Sequence, residues 1–416
     1  MNRVSSAITF CFFACALSLS SCASAPSAAR SAPENAADTS GPWVVTWGAA
    51  QQETEAGNMP KLDLGGSTLR QRVRVSIGGK SIRVKFSNVF GDGPLVVKAA
   101  AIAPSGSGSA IDVSGAKPLT FGGRKPFVQI AAGKEVYSDP VDFTLAPLAE
   151  ITVSAYLTDV PAKVTGHPGS RATSFIRTYN LVSSEDLPVL GENVAHWYFL
   201  ADVEVAAKDA YAVAILGDSI TDGRGSTTDE NNRWPDVLAA RLQANPATAH
   251  VGVLNSGIGG NTVLYGGLGP SAASRVNRDV FARKGVRWMI FFEGVNDIGG
   301  IRDSGTQETR TRQLIAAYEK LIADAHERKV LVYGCTITPF KGSGYYREES
   351  EAARKSVNDW IRTSGKFDAV IDMDALTRDS GDPEHLRKVY DSGDGLHLNP
   401  DGYRAMGEAV DLGLFR

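Results

Sequence analysis

The period of the hydrophobic residues changes once along this chain, near residue 207, and that change limits the folds open to it. Before it the period is two. Leu69, Val73, Val75 and Ile77 alternate with Arg70, Arg72, Arg74 and Ser76. Gly78-Gly79 then reads as a turn, and Ile82, Val84 and Phe86 alternate with Arg83, Lys85 and Ser87. This pattern predicts a hairpin with one apolar and one basic face. The basic stripe fits a solvated outer face, with an anionic or sugar ligand as the rival use. Turn signals recur throughout 43–205 and no long helical period occurs, so this stretch is expected to be an all-β sandwich or jelly roll. After residue 207, apolar runs at 212–217, 250–255, 287–293, 330–337 and 369–373 alternate with helical stretches at 234–243, 272–283, 309–328, 348–362 and 400–412. That alternation calls for a parallel sheet covered by helices on both faces. At 416 residues the chain is long enough for both, with expected domains at 43–205 and 206–416.

The first residues have the form of an export signal. Arg3 supplies positive charge, and 7–19 is mostly apolar but too short to span a bilayer as a mature helix. Leu19-Ser20-Ser21-Cys22 resembles a bacterial lipobox, which would make Cys22 a lipidation site after removal of 1–21. The rival is secretory cleavage after Ala23-Ser24-Ala25. The Ala after Cys22 favours an outer membrane as destination, where the cell has one; otherwise the protein is expected to be periplasmic or secreted. The Ala/Ser/Pro-rich stretch 22–42 reads as a flexible tether.

Lys and Arg number 43 against 46 Asp and Glu, so no strong field points to nucleic acid or to acidic lipid. Cys11 and Cys15 fall in the leader, which leaves Cys335 alone in the body as a small core residue. With no Cys-x-x-Cys pair and no His-Glu-x-x-His, no metal site and no cofactor are expected. A membrane tie is expected only through a lipid on Cys22.

The ends of the predicted parallel strands carry the polar residues, where open α/β sheets hold their ligands. They read Gly217-Asp218-Ser219, then Asn255-Ser256-Gly257-Ile258-Gly259-Gly260-Asn261, then Gly294-Val295-Asn296-Asp297. Asp394-Gly395-Leu396-His397 precedes the last helix. Ser219 or Asp218 could simply cap a helix, and so could Asn296. Gly259 or Gly260 could serve a turn, and Asp391 and Asp401 are neighbours with capping chemistry of their own. Serine hydrolysis of an acyl bond needs a nucleophile, a base, a group that orients the base, and oxyanion donors. These loops offer candidates for all four.

Together the four segments resemble the SGNH hydrolases, also called GDSL esterases, over about residues 207–416. Thr221-Asp222-Gly223-Arg224-Gly225 and Arg233-Trp234-Pro235 are similar to a secreted subgroup with a β-rich N-terminal domain. The resemblance implies an α/β, flavodoxin-like, doubly wound sheet behind the all-β region. It implies Ser219 as nucleophile, His397 as base and Asp394 as its orienting acid. The backbone N–H groups of Ser219 and Gly260, with the Asn296 amide, would form the oxyanion hole. Asp218 and Asp297 read as braces. The expected activity is a serine esterase acting on short acyl groups of an acylated small molecule or polysaccharide, with carbohydrate esters favoured by the β-rich region. A lysophospholipase or general short-chain lipase is the alternative. A carbohydrate-binding protein on a dead hydrolase fold would have lost one of these residues, and none is missing. His167 is a candidate for a cleft between the domains, whereas His196, His250, His326 and His385 read as surface or boundary residues.

Overall fold

The computed structural model describes residues 43–416. The leader 1–21, Cys22 and the whole tether 22–42 lie outside the described residues. Among the described residues, no helix is long and apolar enough to cross a membrane.

The apolar runs after residue 207 form five parallel strands: Tyr211–Gly217, Val251–Gly257, Val286–Phe292, Leu331–Cys335 and Ala369–Ile371. In the sheet they stand in the order two, one, three, four, five. The order reverses between Tyr211–Gly217 and Val286–Phe292, and such a switch point opens a crevice at the carboxyl ends of the strands. Ala212–Leu216 and Met289–Phe291 are buried on both faces, as a sheet between helices requires. Helices Trp234–Ala244, Ser304–Glu327, Glu348–Thr363 and Pro400–Ala409 cover it. The helix expected over 272–283 is instead Ala272–Val276 followed by a π turn, Asn277–Phe281. The widened turn lies where Arg275, Arg278 and Arg283 converge on the buried Asp279.

Residues 43–206 form antiparallel sheets of five, seven and three strands. The predicted hairpin does not form. Ser67–Arg74 pairs with Glu150–Asp159 and Ser174–Thr178 in the seven-stranded sheet. Gly79–Asn88 pairs with Leu200–Ala206 and Lys134–Tyr137 in the five-stranded one. The link between them crosses from sheet to sheet, with Val75 N–H bonded to Ala149 O and Ser76 N–H to Thr46 O. Leu69 and Val73 from one sheet and Ile82, Val84 and Phe86 from the other belong to a single buried cluster.

The basic stripe is not a solvated face either. Arg70 is fully buried and donates to Ser154 Oγ and to the carbonyls of Ser109, Leu181 and Ser184 at 2.6–3.2 Å. Burial pulls its pKa down to about 10. Arg83 pairs with Glu204 and Lys85 with Asp202, each at 2.7 Å. A buried cation persists only with such partners. Asp202 also pairs with Arg283 of the α/β region, and strand Trp43–Gly48 leads directly into an isolated bridge between Ala49 and Asn255. The hydrophobic cluster of the β sheets continues into Ala212, Leu254 and Met289 of the parallel sheet.

Candidate active site

Strand Tyr211–Gly217 delivers the first residues of the site. A Cβ on Gly217 would collide with Thr221 Oγ1, so the turn closes tightly only on glycine. Asp218 then caps a single helical turn, Ser219–Asp222, by accepting from Ile220 N–H at 2.9 Å. Burial pushes the Asp218 carboxyl up to about 7, and the nearby Asp297 and Asp222 charges push the same way. Its expected bracing role fits this capping bond. Asp297 accepts from Val263 N–H at 2.8 Å and Leu264 N–H at 3.0 Å, and burial raises it to about 6.

Ser219 Oγ lies 2.8 Å from His397 Nε2. His397 Nδ1 lies 2.6 Å from Asp394 Oδ2. The other Asp394 oxygen accepts from Leu396 N–H at 3.0 Å and His397 N–H at 2.8 Å. Although partial burial opposes it, these donors and the imidazole hold the carboxyl down at about 2. An ionised carboxylate only accepts, so His397 Nδ1 carries the proton and Nε2 is left free to accept from the Ser219 hydroxyl. Burial lowers the His397 pKa below 6.5, and Arg224 and Arg171 push it the same way against the pull of Asp394. The neutral imidazole needed to take a proton is thereby favoured near neutrality. Asp391 instead accepts from Gly393 and Gly395 N–H to shape the loop, and Asp401 pairs with Arg404.

Gly260 and Asn296 line the same cleft as Ser219 and His397. Gly260 has φ +67°, and a Cβ there would press on Leu268 at 3.3 Å, so the left-handed loop suits glycine. Asn296 accepts from Tyr345 O–H at 2.8 Å and donates through Nδ2 to Asn261 O at 2.7 Å. That fixes the amide's orientation, and the second Nδ2 hydrogen has no partner in those bonds.

Spacing gave no signal for Arg275. Its guanidinium donates to Gly217 O at 3.0 Å, Ser256 O at 2.7 Å and Asn261 Oδ1 at 2.9 Å. It also meets Glu293 and Asp279. One buried side chain thus ties together the ends of the first two strands and the loop that Asn296 leans on.

The antiparallel region builds the facing wall. Gln52, Glu55, Asn58, Arg171 and His196 line a cleft of about 530 Å³ together with Ser219 and His397. His196, expected at a surface or boundary, is a cleft residue, fixed by Nδ1 against Pro168 O at 2.6 Å. His167 is buried and joins the two regions. It bonds Ala50 O through Nδ1 and Asp222 Oδ1 through Nε2, both at 2.8 Å. His326 and His385 pair with Asp368 and Asp382 away from the cleft. Cys335 is buried in the core, where burial pushes its thiol up.

Fold and family together place the α/β region among the acylhydrolases. Residues 215–405 match the model of the GDSL-like lipase/acylhydrolase family, and that region belongs to it. No match was found among curated proteins. Solved structures similar to the chain include a carbohydrate acetylesterase from Sinorhizobium meliloti at 15% identity, covering 48% of this chain and 95% of that one, with a TM-score of 0.37. An acetyl xylan esterase matches at 19% identity, covering 48% of this chain and 96% of that one, with a TM-score of 0.37. A GDSL-like lipase from Bacteroides thetaiotaomicron matches at 18% identity, covering 48% of this chain and 84% of that one, with a TM-score of 0.35.

Proposed function

We propose that the protein is an exported serine esterase that cleaves short acyl groups from polar alcohols such as carbohydrates. The observation that carries this reading is the hydrogen-bonded chain Ser219 Oγ, His397 Nε2, His397 Nδ1, Asp394 Oδ2 at 2.8 and 2.6 Å. In this mechanism His397 takes the Ser219 proton as Oγ attacks the ester carbonyl. The oxyanion receives the N–H groups of Ser219 and Gly260 and the free Asn296 hydrogen. His397 then protonates the departing alkoxide, and water repeats the sequence on the acyl-serine. Asp394 keeps the imidazole in the required tautomer.

The polar side chains in the lining support a hydroxyl-rich alcohol. Gln52, Glu55, Asn58 and His196 offer hydrogen-bonding groups, whereas the aliphatic side chains of the lining are Pro168, Leu268 and Leu396. A long acyl tail would need a continuous apolar surface. Export with a lipid on Cys22 belongs to the same reading, since a tethered esterase would meet polymeric substrate outside the cell. The deciding measurement is hydrolysis of p-nitrophenyl acetate by the mature protein. Ser219→Ala and His397→Ala should each lower kcat by about 10⁴-fold or more with the fold retained. Turnover that survives Ser219→Ala would remove the acyl-serine.

A further inference from the structure

Two cations beside His397 have no role in the proton chain. Arg171 and Arg224 both line the cleft, and their charges act on the His397 ring. Among the described residues, neither guanidinium has a hydrogen bond or ion pair, and Arg171 Nε is buried without an acceptor. Arg171 is half-buried and Arg224 exposed, whereas the fully buried arginines have protein partners, Arg283 through its ion pairs with Asp202 and Asp279. Arg70 and Arg275 each bond several acceptors. A buried donor left unmade costs free energy that a bound acceptor would recover.

Glu55 and Asp222 share the cleft with the two arginines, but no carboxylate there forms an ion pair or hydrogen bond with either guanidinium. Glu55 takes the side-chain amides of Gln52 and Asn58 at 2.5 and 2.9 Å. Asp222 takes His167, and Asp394 takes His397. The chain also holds Arg171 in place at a cost. Its φ is +48°, a conformation that non-glycine residues seldom adopt. Asp229 fixes it there, donating its N–H to Arg171 O at 2.9 Å while its carboxylate accepts from Thr173 N–H and Oγ1 at 2.6 Å. Arg224 follows the left-handed Gly223, and its N–H returns to Ser219 O at 2.9 Å while its carbonyl accepts from Tyr403 O–H. Both backbones are therefore anchored and both side chains are left over for a ligand.

We propose that Arg171 and Arg224 bind a carboxylate on the alcohol half of the ester, so that the preferred substrates are O-acylated uronic acid units. The proposal rests on the esterase reading above. His397 must protonate the departing alcohol, so the alcohol lies on the His397 side, where both arginines are. Guanidinium forks match carboxylates with paired hydrogen bonds, and Gln52, Asn58 and His196 remain for neighbouring hydroxyls.

The test compares acetate release from a fully O-acetylated methyl glucuronoside as the free acid and as its methyl ester. The methyl ester lacks the charge and carries one added methyl group, and measuring initial rates of acetate release keeps cleavage of the methyl ester itself out of the comparison. Wild-type protein should favour the free acid in kcat/KM by roughly tenfold to a hundredfold, the value of a partly buried charge-assisted bond. Raised salt should shrink this preference. In the double variant Arg171→Gln, Arg224→Gln the ratio should fall to near one. Because the ratio is taken within each protein, a loss of folded enzyme cancels. Equal turnover of the two esters by the wild type, or a preference that survives in the double variant, would overturn the proposal while leaving the esterase reading intact. Absence of turnover of both esters and of p-nitrophenyl acetate would defeat the esterase reading, and this proposal with it.

Discussion

The parallel sheet and the antiparallel sheets meet at one cleft and furnish it differently. Ser219, Gly260 and Asn296 follow directly on buried parallel strands, and Asp394 and His397 sit three residues apart on one loop. Their positions are set by short links to a rigid core. The opposite wall is gathered from three segments far apart in sequence, one with Gln52, Glu55 and Asn58, one with Arg171 and one with His196, and depends on the packing of several sheets. The contrast separates chemistry from recognition. Reacting groups stand on the sheet edge, where small errors are costly, and groups that would contact the alcohol stand on the wall.

After Ser219 and His397, the largest effect expected from breaking one side of this contrast falls on Asn296. Asn296→Ala removes a donor from the sheet edge and should lower kcat by about 100- to 1,000-fold. Thermal unfolding should move less, because Tyr345, one of its two partners, lines the open cleft, where water can replace the lost bond. Steady-state kinetics and a melting curve read both. A large loss of stability with little loss of kcat would place Asn296 among the braces instead.

The joint between the regions is the next place to press. His167→Ala leaves the buried Asp222 carboxylate without this hydrogen-bond partner, and a buried polar group left unsatisfied typically costs about 1–3 kcal/mol. We therefore expect a clear fall in the denaturation midpoint, with a smaller loss in kcat/KM of about tenfold as the Ser219–Asp222 turn loosens. A variant that keeps wild-type stability would show that the two regions are not coupled through this pair.

Legibility in the sequence followed the same division. The parallel strands are buried on both faces, so they read as unbroken apolar runs bounded by Gly, Asn and Asp, and the catalytic candidates lay at their ends. The β region misled because Arg70, Arg83 and Lys85 alternate with apolar residues just as a wetted face would. Their partners are remote. Asp202 and Glu204 lie more than a hundred residues on, in strand Leu200–Ala206. Those two acids also alternate with apolar residues, Ala201, Val203 and Val205. An acidic period-two strand matched to a basic one was the available signal for internal ion pairing, and it also argued against the hairpin. No comparable signal marked Arg275, whose importance comes from three carbonyl and amide oxygens that only the folded loops bring together, nor His196, which reaches the cleft through a loop.

The smallest expected effect bears on the border between wall and edge, where Arg224 and Arg171 act on His397 through space. The base must be neutral to work, so activity falls as pH drops through the His397 pKa. Burial and the two cations set that pKa below 6.5, and the acid limb of kcat/KM on a neutral ester should therefore have its midpoint below that value. Arg224→Gln removes a positive charge that disfavours the imidazolium. The His397 pKa should then rise and the limb move to higher pH. Added salt screens the same charge, so the limbs of wild type and variant should approach each other as ionic strength increases. A limb that moves to lower pH in the variant, or a difference that grows with salt, would mean that Arg224 acts on His397 by position and not by charge.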